Sequence, residues 1–266
     1  MTIKPKRTAK LAAKSPEKAA HIRDIAATIP TAFKKSAPQS TAKSAPKKSA
    51  KRRLQPADLP PVEVYELRVR LVAVKPLVWR RLRVRGDIPL SLLHCVLQTA
   101  IGWTNSHLHH FFVGKQRYAE LGADSEFEPD ESTMDTADVT LQTVCPKKGS
   151  ALGYEYDFGD SWLHEVVVEK ILPPETPMPH WAVLVDGAGT CPPEDCGGPY
   201  GFNTFLPAYL DPKHPQHRDM VDWIGEYNPE AFDCAAWNDY LRELRWPKTT
   251  QNQLGRILMS RDGYTE

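Results

Sequence analysis

The sequence predicts an α+β domain with a mainly antiparallel sheet and helices packed on it, preceded by a disordered basic tail. Segments with strand-like alternation come first, segments with helical spacing come later, and the two kinds do not alternate regularly. Charged and large apolar side chains are also divided unevenly along the chain. We therefore expect three regions: residues 1–60 as the tail and linker, 61–246 as the α+β domain, and 247–266 as a C-terminal tail.

The first 55 residues are strongly basic and poor in large apolar side chains. They contain 15 Lys/Arg and two Asp/Glu, a formal charge of +13, whereas the remainder has 19 Lys/Arg and 31 Asp/Glu, a formal charge of −12. A segment of this composition buries too little apolar surface to offset the entropy lost on ordering, so we expect it to be disordered.

Such a tail is suited to non-specific contact with nucleic acid, because Lys and Arg release counterions from phosphate backbones. The alternatives are a solubilising tail, or a tail that folds back on the acidic body. The densest basic run stands at its C-terminal end: Lys47, Lys48, Lys51, Arg52 and Arg53.

The sequence also predicts the cellular setting. No apolar stretch approaches the roughly 18 residues that a membrane span needs, and no apolar signal segment follows the N-terminal charges. The five cysteines are an odd number spread over the whole body, which favours reduced thiols over a disulfide framework. We therefore expect a cytoplasmic protein without membrane contact.

The body begins with a predicted pair of strands. In "VEVYELRVRLVAV" the apolar residues from Tyr65 to Ala73 alternate with the polar residues Glu66, Arg68 and Arg70, as in a half-buried strand. The next segment, "KPLVWRRLRV", predicts a partner strand that follows a tight turn at Lys75-Pro76.

The segment "IPLSLLHCVLQTAIGW" changes to helical spacing, with Ser91 as the predicted N-cap and Gly102 as the predicted end. Further strands are predicted in "HLHHFFVGKQRYAE" and "WAVLVDGAG", with an acidic loop after the first of them. Shorter helices are expected over residues 138–145, 202–210, 216–226 and 231–244.

The segment "YEYDFGDSWLHEVVVEK" predicts a central hairpin with Gly159-Asp160 as a two-residue turn. In that register Glu155 lies opposite His164, and the two tyrosines before the turn point to the core. A carboxylate opposite a histidine suits a general base or a metal ligand, and equally a purely structural cross-strand pair. The candidate ligand-binding residues of this hairpin are Glu155, Asp157, Asp160, Trp162 and His164.

The segment "HLHHFF" contains a possible pair of metal ligands. If it is a strand, His107 and His109 share one face, and two imidazoles at this spacing can bind zinc, iron or nickel. Surface or core histidines are the plain alternative. A metal site would require this strand to lie beside the hairpin, with His164, Asp157 or Asp160 within reach.

The loop "CPPEDCGG" places two acids between Cys191 and Cys196. The gap between the cysteines is too wide for a zinc knuckle, and the sequence has no second matching pair. The prolines and glycines predict a stiff loop before a helix. We therefore keep Glu194 and Asp195, which such a loop could project into a cleft, as candidate ligand-binding residues.

Several of these segments together resemble one family. The motifs "HLHHF", "YEYDFGDSWLHEVVVEK", "CPPEDCGGPYGFNTFLPAYLDPKHPQH" and "WIGEYNPEAFD" are similar to those of the plasmid pRiA4b Orf-three-like family, which also includes TnpR-type passenger proteins of insertion elements. The resemblance spans about Tyr65 to Leu244. It implies a single α+β domain found on plasmids, mobile elements and chromosomes, and it implies no particular activity, substrate or cofactor.

Three hypotheses for function follow. The favoured one is a non-enzymatic accessory or interaction protein of a plasmid or mobile element, whose tail contacts nucleic acid. The second is a metal-dependent, hydrolase-like enzyme that uses the histidines and acids. The third is a small-ligand-binding domain with Trp162 and the tyrosines as the pocket wall. No cofactor is assigned, because the sequence contains no dinucleotide fingerprint, P-loop, nucleophile elbow or H-E-x-x-H motif.

Overall fold

The computed structural model of the chain describes Pro56 and residues 59–121 and 131–243. Most of the predicted tail, including its five singled-out basic residues, lies outside the described residues, as do the middle of the acidic loop and the predicted C-terminal tail. In the part that is described, no helix has the length and apolarity to cross a membrane. All five cysteines are free thiols.

One sheet of eight strands forms the centre of the fold. Its order is β5-β4-β3-β6-β7-β1-β2-β8, and every neighbouring pair is antiparallel except β4 with β5. The mainly antiparallel sheet predicted from the sequence is therefore confirmed. The strands are β1 Val64–Leu71, β2 Trp79–Arg85, β3 His109–Val113, β4 Gln116–Ala119, β5 Met134–Asp135, β6 Ala151–Tyr156, β7 Trp162–Leu172 and β8 Ala182–Ala188.

Five helices pack on this sheet in the described part of the chain: α1 Leu90–Ile101, α2 Leu141–Val144, α3 Gly198–Leu210, α4 His217–Ile224 and α5 Cys234–Glu243. Each corresponds to a helix predicted from the sequence. Gly102 ends α1 in the left-handed region, as predicted. The predicted N-cap is wrong, because α1 begins at Leu90 with Pro89 at the N-cap position and Ser91 is already helical.

The alternation in the first two strands produces the core. Tyr65, Leu67 and Val69 are at most 1% exposed. On the opposite face of the sheet, Arg68 and Arg81 both form ion pairs with Glu169 of β7. The sheet therefore buries one face under the helices and presents a face of paired charges on the other.

The central hairpin forms, but the predicted register is wrong. In the structure Tyr156 lies opposite Trp162 and Tyr154 opposite His164, so the predicted Glu155–His164 pair does not exist. The connection is a loop of residues 157–161 rather than a two-residue turn at Gly159-Asp160. The shift places Trp162 and His164 on the buried face together with the tyrosines.

The strand that contains "HLHHF" does lie beside this hairpin, because β3 pairs with β6 and His109 lies opposite Tyr156. The strand begins at His109, however, and His107 precedes it in a loop. The prediction that His107 and His109 share one strand face is therefore wrong. Its consequence is that the two histidines have different neighbours.

Candidate functional site

The hairpin loop presents Asp157 in a fixed orientation. Its φ of 58° is in the left-handed region, which Asp tolerates because its carboxylate can hydrogen-bond nearby amides. Oδ1 accepts hydrogen bonds from the N–H groups of Gly159 at 2.9 Å and Asp160 at 3.3 Å. The Asp157 N–H donates to the carbonyl of Leu108 at 2.9 Å. The other carboxylate oxygen, Oδ2, faces the His107 ring.

The loop before α3 packs directly on the hairpin loop. Asp160 Oδ2 accepts a hydrogen bond from the Gly197 N–H at 3.0 Å. Gly198 has a φ of 68°, and a Cβ added there would lie 2.1 Å from the carbonyl oxygen of Asp160, so only glycine allows this contact. These contacts fix Glu194 and Asp195 close to the hairpin loop.

Glu194 is held by one carboxylate oxygen. Oε1 accepts hydrogen bonds from the Thr104 N–H at 2.9 Å, the Thr104 hydroxyl at 2.8 Å and the Tyr156 hydroxyl at 3.1 Å. Oε2 is buried and has no hydrogen-bond partner among the described residues. A buried carboxylate oxygen without a donor is costly, so this atom is a candidate for binding a cation or a water molecule.

His107 is the residue on which three carboxylates converge. Its Nε2 lies 3.6 Å from Asp157 Oδ2, 3.9 Å from Glu194 Oε2 and 3.9 Å from Asp195 Oδ1. Ligand atoms of His107, Asp157 and Asp195 all lie within 4.8 Å of one another. We call these four residues, His107, Asp157, Glu194 and Asp195, the His107 centre.

The spacing in the His107 centre suits a metal ion. Two ligand atoms bound at about 2.0–2.2 Å from a tetrahedral metal ion are separated by about 3.4 Å, and the three carboxylate oxygens lie 3.6–3.9 Å from His107 Nε2. In Asp157 and Glu194 one carboxylate oxygen is held by protein donors and the other faces His107. Such outer hydrogen bonds orient metal-ligating carboxylates in known sites.

Two of the predicted site residues belong to the core instead. His164 is completely buried, and its Nδ1 donates to the Trp162 carbonyl at 2.9 Å while its Nε2 accepts from Trp103 Nε1 at 3.3 Å. Burial lowers the pKa of His164 to about 4, so the ring is neutral at neutral pH. Trp162 is also completely buried, and its ring packs at a tilt against that of Trp103. The structure therefore places both His164 and Trp162 in the buried core.

The other predicted residues also separate from the centre. His109 stacks on His94 with ring centroids 3.4 Å apart, and burial lowers its pKa well below the usual value. Asp160 Oδ2 accepts a hydrogen bond from the Gly197 N–H, so this oxygen contacts the loop before α3. Glu155 faces away and accepts a hydrogen bond from Ser161 at 2.7 Å. Of the four predicted metal ligands, only His107 lies in the His107 centre.

Thr104 and Tyr156 hold Glu194 in place, and neither was predicted from the sequence as a site residue. Tyr156 was assigned to the core face, and its ring is indeed buried, but its hydroxyl contacts both Glu194 and the Ser106 N–H. A tyrosine at the end of a strand beside an acidic loop is a usable signal, because a buried hydroxyl needs a partner. Thr104 offered no signal in the sequence, since its contact spans 90 residues.

The adjacent thiols, Cys191 and Cys196, lie in surroundings that favour their protonated form. Burial and the nearby Glu194 raise the pKa of Cys191 well above its usual value. Burial and the nearby Asp160 raise the pKa of Cys196 in the same direction. Both thiols are therefore poor nucleophiles at neutral pH, because the thiolate is the form that attacks a substrate.

The fold and the site define an α+β protein in which loops around a mainly antiparallel sheet bring one histidine and three carboxylates together. The chain belongs to the plasmid pRiA4b ORF-3-like protein family, whose model matches residues 63–236. The match covers nearly all of the described body, including all four residues of the His107 centre, and it confirms the family resemblance found in the sequence.

Two relatives extend this finding. The uncharacterized protein y4hQ of Sinorhizobium fredii (strain NBRC 101917 / NGR234) is 40% identical over 198 residues, which cover 71% of this chain and 97% of that protein. The crystal structure of a protein of unknown function, MM3350 from Methanosarcina mazei Go1, matches with a TM-score of 0.58 and 28% identity, over 65% of this chain and 97% of that one. Both similarities cover nearly the whole length of the relative.

Proposed function

We propose that the domain binds a divalent metal ion in the His107 centre and uses it in metal-dependent, hydrolase-like chemistry. The observation that carries this proposal is the convergence of three carboxylate oxygens on His107 Nε2 at 3.6–3.9 Å. Carboxylates that lie this close together repel one another, and a cation bound between them would reduce that repulsion.

The ligand set indicates which ions suit the site. Imidazole suits zinc and iron, whereas carboxylates suit manganese, magnesium and calcium. One nitrogen with three oxygens therefore favours Mn²⁺, Fe²⁺ or Zn²⁺. A bound ion of this kind lowers the pKa of a coordinated water molecule and polarises a carbonyl or phosphoryl oxygen. The residues of the chain would hold the ion, and Thr104 and Tyr156 would keep Glu194 oriented toward it.

Metal analysis of the purified full chain tests this proposal. We expect the protein to retain about one equivalent of metal after gel filtration, and the chelated protein to gain thermal stability when Mn²⁺ or Zn²⁺ is added, because a ligand that binds only the folded state stabilises it. A chain that binds neither ion in dialysis and shows no thermal shift with either would contradict the metal centre.

We also propose that the N-terminal segment contacts nucleic acid, in keeping with an accessory role on a plasmid or mobile element. The support is the formal charge of +13 in residues 1–55 against −12 in the remainder. A cation-rich segment attached to an acidic body directs phosphate binding to the segment.

The salt dependence of binding tests this second proposal. Affinity of the full chain for a short DNA duplex should fall steeply with salt, by about tenfold or more between 50 and 200 mM. A full-length variant in which Lys47, Lys48, Lys51, Arg52 and Arg53 are changed to Gln should bind more weakly and with a shallower salt slope. Equal affinity and slope for the two proteins would rule out this run as the contact.

A further inference from the structure

Arg80 is a cation in the core of the domain. It lies on β2, on the sheet face that also carries the buried Leu82 and Val84, while its neighbours in the strand point to the opposite face. Its side chain is 0% exposed. An arginine on the core face of a strand is unusual, because a charge out of water needs hydrogen-bond acceptors on all sides. The alternation in "WRRLRV" already marks this position as inward-facing.

The guanidinium is satisfied by backbone carbonyls. Among the described residues every hydrogen bond that it donates goes to a main-chain oxygen, and its plane lies over the Phe232 ring, with 4.5 Å between the guanidinium carbon and the ring centroid. Burial lowers the pKa of Arg80 to about 10, so the group remains charged at neutral pH. The acceptors are the carbonyls of Ala100 at 2.6 Å, Ile101 at 3.3 Å, Trp79 at 2.8 Å, Ala188 at 2.9 Å and Gly189 at 2.9 Å.

Apart from the carbonyl of the neighbouring Trp79, these acceptors belong to two separate parts of the fold. Ala100 and Ile101 form the end of α1, where the last carbonyls have no helical partners and carry the negative end of the helix dipole. Ala188 and Gly189 stand at the end of β8. The planar guanidinium of Arg80 therefore holds the end of α1 against the end of β8, which is distant in sequence.

Both pieces lead directly into the His107 centre. The chain runs from Ile101 to His107 in six residues and from Gly189 to Glu194 in five. The two segments also touch each other, since a Cβ added to Gly102 would lie 3.0 Å from the Cβ of Cys191. The position of the helix end relative to the strand end thus sets how far His107 lies from Glu194 and Asp195.

We propose that Arg80 is a positioning residue for the His107 centre: its guanidinium clamps the end of α1 to the end of β8 and so sets the distance between His107 and the carboxylates of Glu194 and Asp195. This inference rests on the proposed metal site. Lysine cannot replace the arginine, because its three donors radiate from one nitrogen and cannot reach acceptors on both sides of a planar fork.

The test compares Co²⁺ binding by the full chain and its Arg80→Lys variant. Co²⁺ is the probe because its visible absorption reports both occupancy and coordination geometry. We expect Arg80→Lys to weaken Co²⁺ binding by about 10- to 100-fold, the range found when groups that support metal ligands are altered, and to change the shape of the absorption bands.

Val84→Ala is the matched control. Val84 is buried on the same face of the same strand, so the substitution destabilises the fold without removing any hydrogen bond of the Arg80 guanidinium. At a temperature where all variants are folded, Val84→Ala should bind Co²⁺ with the affinity and spectrum of the unaltered chain. An equal weakening in Val84→Ala would show that lost stability alone explains the effect, and would overturn the positioning role.

The remaining outcomes separate the two proposals. If the unaltered chain binds no Co²⁺, Mn²⁺ or Zn²⁺, the metal centre itself fails. If the unaltered chain binds Co²⁺ and Arg80→Lys binds it equally well with the same spectrum, only the positioning role fails. If Arg80→Lys does not fold, Phe232→Leu decides, because it removes the ring that covers the guanidinium. Unchanged Co²⁺ affinity in Phe232→Leu would then overturn the proposal, and a weakening of about threefold or more would support it.

Discussion

Lowering the pH from about 7.5 to about 4.5 should reduce the free energy of unfolding by several kcal/mol, measured by urea denaturation of the chelated protein. The cause is a set of histidines that are buried in the neutral form. His94 Nδ1 contacts the Tyr154 hydroxyl and its Nε2 contacts Asn105 Oδ1, both at 2.8 Å. His164 is enclosed by the Trp162 carbonyl and the Trp103 indole.

The sign and window follow from the pKa values. Burial lowers the pKa of both His94 and His164 from 6.5 to about 4 in the folded state. Between about pH 4 and pH 6.5 these histidines bind protons in the unfolded chain but stay neutral in the folded chain. The stability that their neutral form contributes is therefore complete above about pH 6.5 and is lost as the pH falls toward about 4. This difference in pKa between the unfolded and the folded state corresponds to about 3 kcal/mol of unfolding free energy for each histidine.

A pair of variants checks this assignment. His94→Gln should lower stability at neutral pH, because it disturbs the hydrogen bonds to Tyr154 and Asn105. It should also make the unfolding free energy less dependent on pH, since one of the two titrating histidines is removed. His214→Gln is the control, since His214 lies in a surface turn where its ring accepts from the Gln216 N–H. A pH slope in His94→Gln as steep as that of the unaltered chain would contradict a buried neutral His94.

Asp157→Asn should weaken metal binding by about 100-fold while leaving the fold intact. The asparagine retains an oxygen that can accept from the Gly159 and Asp160 amides, so the hairpin loop keeps its shape. The substitution replaces the oxygen nearest to His107 Nε2 with an NH₂ group, which has no lone pair for a metal ion. Calorimetric titration with Mn²⁺ or Zn²⁺ measures the change.

Glu155→Gln is the matched control for that experiment. It removes one negative charge from the same hairpin, yet Glu155 lies on the other side of the strand, against Ser161 and His110. Its metal affinity should stay within about threefold of the unaltered chain, because only long-range electrostatics change. If both variants lose affinity equally, net charge rather than ligation by Asp157 determines binding.

The sequence predicted the elements of the fold well because the signals are local. Alternation from Tyr65 to Leu71 and helical spacing from Leu92 to Ile101 depend only on which side chains face the core. The hairpin register failed because Gly159-Asp160 satisfies the rule for a two-residue turn. In the structure, the loop is set instead by positive φ angles at Asp157 and Ser161 and by a contact with the Leu108 carbonyl.

The candidate site was predicted in part. His107, Asp157, Glu194 and Asp195 were each singled out by residue type and loop chemistry, but their convergence depends on pairing of β3 with β6 and on contacts between distant loops. The same kind of long-range contact places His109 and His164 in the core and pairs Asp160 with the Gly197 amide, which the sequence alone does not indicate. A histidine in an apolar segment looks the same in sequence whether it stacks in the core, as His109 does on His94, or ends a loop.

The three loops of the His107 centre place their candidate ligands at positions 107, 157 and 194–195 of the chain. An ion held by all three loops would join the ends of two chain segments of about 40 to 50 residues, as a cross-link does. The entropy lost on closing such a segment grows only slowly with its length. An unfolded chain would have to close both segments before it could chelate the ion. Release of the ion and unfolding of the domain would then be one cooperative event, so that the binding free energy of the metal would add to the stability of the fold.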